Sequence, residues 1–108
     1  MIQDPDYARV FTIARCIAWS YGYAAVVHGS YTRDLDLLLV PWEDSAKGNN
    51  DQLVALIAQG AGLISSGHPP SEKPHGRKAY TLLFSKAADP RFIDISILPI
   101  YPQEKTNE

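Results

Sequence analysis

The residues best suited to chemistry in this sequence are three aspartates. Asp34 and Asp36 stand two apart at the head of the apolar run Leu35 to Val40. Side chains alternate across a strand, so a strand here points both carboxylates to one face. Two like charges at that distance raise each other's pKa, and a divalent cation removes the penalty. Mg²⁺ characteristically takes one or two carboxylates together with substrate phosphates. Asp94 is the third member. It lies between Ile93 and Ile95, where an unpaired carboxylate is costly, and it faces away from the isoleucine side. If its strand lies beside the Asp34–Asp36 strand, three carboxylates converge close to Gly29-Ser30. Mg²⁺ or Mn²⁺ is the cofactor this set suits. A structural role for each acid stands beside that reading. Asp34 would simply open a strand, Asp36 would pair with Arg33 or Arg91, and Asp94 with a lysine or arginine on a neighbouring strand.

The most basic stretch is Lys73-Pro74-His75-Gly76-Arg77-Lys78. It reads either as a solvated loop or as a loop that closes over phosphates, with Arg77 as forked donor and Lys78 beside it. His28 reads as a hydrogen-bonded residue at a strand end, with a metal or phosphate contact as the alternative. Cys16, His28 and His68 lack zinc-ligand spacing. No Gly-x-Ser-x-Gly elbow surrounds Ser30, which argues against a serine hydrolase. Cys16 is the single cysteine; within an apolar helical pattern it reads as a small buried hydrophobe of a reducing compartment.

The elements that must position these residues can be read from periodicity. Asp4-Pro5-Asp6 is a helix start: a capping acid, a proline at the first helical position and an acid at the positive end of the dipole. Tyr7, Val10, Phe11, Ala14, Ile17, Ala18 and Tyr21 recur at helical spacing, which predicts a helix over 5–21 that stops at Gly22. Strands are expected over 24–28, 35–40, 79–84 and 92–98. In the last, Ile93, Ile95 and Ile97 face one way and Asp94 and Ser96 the other. A second helix runs from a cap at Asn49 or Asn50 through Ile57 to Gly60 or Gly62, and 65–76 reads as a loop. The order helix, strand, strand, helix, strand, strand makes an α+β fold, with a small mixed sheet of about four strands flanked by two helices. Residues 1–102 form one domain, and 103–108 a polar tail.

Composition narrows the function. A chain of 108 residues with 45% hydrophobic and 20% charged residues is an ordinary globular domain with little room for an appended substrate domain. A net charge of -2 argues against a broad nucleic-acid binding surface. No apolar run is long enough to span a membrane and no secretory leader pattern opens the chain, so a cytoplasmic location is expected.

The segments Val26-Val27-His28-Gly29-Ser30, Asp34-Leu35-Asp36-Leu37 and Ile93-Asp94-Ile95 together resemble the signature of the DNA polymerase β-like nucleotidyltransferase superfamily, in its minimal form. The resemblance covers residues 26 to 97. It implies that Gly29 and Ser30 contact a nucleoside triphosphate, that Asp34 and Asp36 hold Mg²⁺, and that Asp94 is a further ligand or the catalytic base. Only Tyr31, Thr32 and Arg33 separate Gly-Ser from the first acid, where the family has a helical turn. Two functions follow as expectations. One is metal-dependent transfer of a nucleotidyl group from an NTP to a hydroxyl acceptor. The other is a nucleotidyltransferase-like scaffold without catalysis that binds a protein partner in a phage or toxin–antitoxin setting. The segment Arg33-Asp34-Leu35-Asp36-Leu37 also resembles segments of short phage proteins. A sugar-nucleotide transferase with an Asp-x-Asp site is a third idea, for which the chain is short.

Overall fold

The structure is a computed structural model that describes residues 4–28, 34–42, 50–86 and 88–99. Helix α1 spans Pro5–Ser20, with Asp4 as its cap: the Asp4 carboxylate accepts from the backbone N–H groups of Asp6 at 2.9 Å and Tyr7 at 3.4 Å. Its stripe of Tyr7, Val10, Ala14 and Ala18 is buried. Helix α2 spans Asn50–Ala61 and buries Leu53, Val54, Ile57 and Ala61. Gly22 and Gly62 follow the two helices at φ 85° and 73°, a left-handed turn that a residue with a Cβ adopts only under strain. Asn49 and the tail beyond Pro99 lie outside the described residues.

The sheet has six strands, not about four: β1 (Tyr23–His28), β2 (Leu35–Pro41), β3 (Leu63–Ser65), β4 (Ser71–Lys73), β5 (Arg77–Phe84) and β6 (Phe92–Ile97). The order is β1-β2-β6-β5-β3, with β4 also pairing β5. Strands β2 and β6 run parallel and the other pairs antiparallel. The two extra strands have three residues each, too few to show a period. They fall in what reads by sequence as a helix end and a loop. They form because β5 offers its free edge to both, β3 along its second half and β4 along its first.

The sheet is two-faced. Leu35, Leu37 and Leu39 of β2 and Ile93, Ile95 and Ile97 of β6 are fully buried on the face that packs against the helices. Their alternates, including Asp36, Leu38, Asp94 and Ser96, point to the opposite face. No described helix lies on that face, and there Asp36 and Asp94 stay half-buried, within reach of solvent or a ligand, while Ser96 is buried. Cys16 corrects the sequence reading: it is exposed. It sits two residues from both buried Ala14 and buried Ala18, which turns it roughly 200° around the helix from either. No helix among the described residues is long and apolar enough to cross a membrane.

Candidate functional site

Strand register assembles a row of four side chains across the open face. His28 of β1 lies opposite Asp36 of β2. Asp36 lies beside Asp94 of β6 in the parallel pair, and Asp94 lies opposite Thr81 of β5. Partners in register share a face, so the row His28–Asp36–Asp94–Thr81 is continuous. Thr81 donates its hydroxyl to Asp94 Oδ1 at 2.8 Å. Burial pushes the Asp36 carboxyl above the ordinary carboxylate range, and the charge of Asp94 and a hydrogen bond with it add to the rise; His28 opposes it. Neither aspartate takes part in an ion pair among the described residues, where Arg91 makes every one. Arg91 is therefore not the partner of Asp36. The lysine or arginine considered for Asp94 is replaced by a neutral hydroxyl.

This row forms one rim of a cavity of about 320 Å³ on the open face. Its floor is the next row, Ser96, Ala79 and Ser71. These small side chains leave the hollow between taller neighbours. The far rim is Arg77 of β5 with Lys73 of β4, placed opposite each other across the β4–β5 ladder. The Arg77 Nε is buried without a hydrogen-bond partner.

The structure thus brings together Asp36, Asp94 and Arg77 of the sequence-derived candidates. Lys78 goes elsewhere: it pairs in register with Ile97 and Glu72, on the face opposite the cavity. Asp34 immediately precedes β2, and its charge acts on both Asp36 and Tyr7, but it does not line the cavity. Among the described residues no group of three or more His, Cys, Asp or Glu side chains is arranged to hold a metal ion. Gly29 and Ser30, with the connection that follows them, lie outside the described residues. Sequence reasoning missed Thr81 as a site residue, and within the basic stretch it singled out Lys78 rather than Lys73. The signal was parity: once Arg77 is taken into the strand, Arg77, Ala79 and Thr81 share one face and Lys78 and Tyr80 the other.

Chemically, the cavity sets two close carboxylates against two cations without pairing them. The carboxylates suit a hard cation, and the guanidinium and ammonium suit phosphate. Trp42 is away from this site, at the other end of β2. It is 44% exposed and stacks on Trp19, with ring centroids 4.2 Å apart.

The chain matches no protein-family model, and no curated protein matches it in sequence.

Proposed function

We propose that this chain is a metal-dependent nucleotidyltransferase that moves a nucleotidyl group from an NTP to a hydroxyl acceptor. The observation that carries the reading is the Asp36–Asp94 pair. These two carboxyl groups are close enough to hydrogen-bond, partly desolvated, and not neutralised by any described cation. A donor set of this kind fits Mg²⁺ or Mn²⁺, with Asp34 as the adjacent third acid. A bound divalent ion would supply charge stabilisation at the transferring phosphoryl group. Asp36 binds and orients. Asp94, fixed by the Thr81 hydroxyl, takes the proton of the acceptor hydroxyl as its oxygen bonds to the α-phosphorus and the bond to pyrophosphate breaks. Gly29 and Ser30 contact the triphosphate in this proposal, as the resemblance to the DNA polymerase β-like superfamily implies.

The test is thermal unfolding with each NTP, with and without Mn²⁺. A ligand at about a hundred times its dissociation constant stabilises by roughly 2.7 kcal/mol, a shift on the order of 10 °C for a domain of this size. The shift should require metal and nucleotide together and disappear in Asp36→Asn. No shift with any NTP would overturn the reading. The second reading, a non-catalytic scaffold that binds a protein partner, is favoured by the exposed Trp19–Trp42 stack. Under it Asp36→Asn leaves function intact and Trp19→Ala abolishes binding.

A further inference from the structure

The β4–β5 ribbon treats its charges differently on its two faces. On one face Glu72 lies opposite Lys78; on the other Lys73 lies opposite Arg77. Opposite charges across a ladder stabilise it, whereas like charges directly opposed destabilise it. The like pair is the one that faces the cavity. Among the described residues neither cation is in an ion pair, and the Arg77 Nε is buried with no acceptor. A buried donor left without an acceptor is costly, so the arrangement favours an incoming acceptor with negative charge.

The spacing limits what that acceptor is. On β5, Thr81 marks the acidic rim and Arg77 the cationic rim, four residues apart. At about 3.4 Å per residue their Cα atoms are roughly 14 Å apart, with Ala79 and Ser96 between them. One phosphate group placed at the carboxylates would not extend to the cations. A chain of phosphates would, because it spans the small-residue floor while a metal at Asp36 and Asp94 neutralises its near end.

We propose that Lys73 and Arg77 form a polyphosphate site that holds the outer phosphates of the substrate. The assignment rests on reading the same cavity as a nucleotide site, and it adds the β4–β5 ribbon, as the holder of the outer phosphates, to the contact proposed for Gly29 and Ser30, with Lys73 acting in place of Lys78. Arg77 supplies a planar fork to two phosphate oxygens, and Lys73 a point charge. Ser71, on the same face, adds a hydroxyl donor.

The experiment is calorimetric titration of the whole chain with inorganic tripolyphosphate and with orthophosphate, first without metal and then with Mn²⁺. Tripolyphosphate should bind more tightly than orthophosphate even without metal. Lys73→Gln and Arg77→Gln should each weaken tripolyphosphate by about tenfold or more, which is about 1.4 kcal/mol. Arg77→Lys should restore part of the loss and Lys78→Gln should change nothing. The melting temperature of each variant establishes that it is folded. Equal weakening by Lys78→Gln would mean general attraction to positive charge and would overturn the site. So would unchanged binding in Lys73→Gln and Arg77→Gln, or no binding to the parent chain. Failure of the nucleotidyl-transfer reading looks different: metal-free tripolyphosphate binding persists, with its dependence on Lys73 and Arg77, while Mn²⁺ adds nothing and Asp36→Asn has no effect on the metal response.

Discussion

Two sets of three aspartates occur in this chain, and the fold treats them in opposite ways. Asp4, Asp6 and Asp89 gather on one guanidinium: Arg91 contacts them at 3.0, 2.9 and 2.8 Å and lies 4.3 Å over the ring of Phe84. Hydrogen bonds from the Arg91 side chain and backbone bring the Asp89 carboxyl down to about 2. Burial alone would push Asp4 up, but hydrogen bonds from Arg91 and from the first turn of α1 outweigh it, and its carboxyl is lowered. The set at Asp34, Asp36 and Asp94 has no such partner among the described residues, and there the Asp36 carboxyl is raised. Acidic residues alone therefore do not mark a site. Arg91 makes the first set a clasp that joins the start of α1 to the turn before β6. The missing compensation makes the second set a candidate for an external cation.

The largest effect should come from breaking the clasp. Arg91→Leu leaves three carboxylates facing one another and should cost about 2–3 kcal/mol in urea unfolding. Arg91→Lys should recover only part of that, because an ammonium cannot fork to several acids. If Arg91→Leu were neutral, the contrast between the two sets would lose its basis.

At the other set, Thr81→Val removes the donor that holds Asp94 and should destabilise by about 1 kcal/mol. Thr81→Ser should stay close to the parent chain. Asp36→Asn should act in the opposite direction and raise stability at neutral pH by roughly 0.5–1 kcal/mol, since it removes like-charge repulsion. Its size depends on pH. A carboxyl raised by folding contributes stability that is fully present below its ordinary value of 3.8 and is lost as pH rises through the folded value. The advantage of Asp36→Asn over the parent should therefore grow as pH increases from about 4 and then level off. A variant that is less stable than its parent at pH 7 would mean that Asp36 is structurally paired after all.

The smallest effect is the mirror image at the clasp. Asp89 is lowered, so its contribution is present above 3.8 and fades as pH falls toward about 2. Stability measured between pH 4 and pH 2 should fall more steeply in the parent chain than in Asp89→Asn. Equal slopes would count against the Asp89–Arg91 link.

Much of this was legible in residues alone. The 3.6-residue stripe from Tyr7 to Ala18 and the alternation from Ile93 to Ile97 predicted which side chains are buried, because helix and strand periods are local. Leu63–Ser65 and Ser71–Lys73 were not legible, because three residues carry no period and their strand character comes from the open edge of β5. Counting apolar neighbours in sequence places Cys16 in the core, whereas its angle around the helix exposes it. Adjacency in sequence groups Lys78 with Arg77, yet neighbours in a strand point to opposite faces.

Read from residues alone, the Asp4 cap, the core stripes and the turning of Asp94 away from the isoleucine face were already set. Those follow from backbone geometry over a few residues. It took the folded core to set β2 beside β6 with Asp36 against Asp94, and to join Arg91 to Asp4, 87 positions away, rather than to Asp36. Strand order and charge pairing at that separation depend on how the whole core closes, and no local period encodes them.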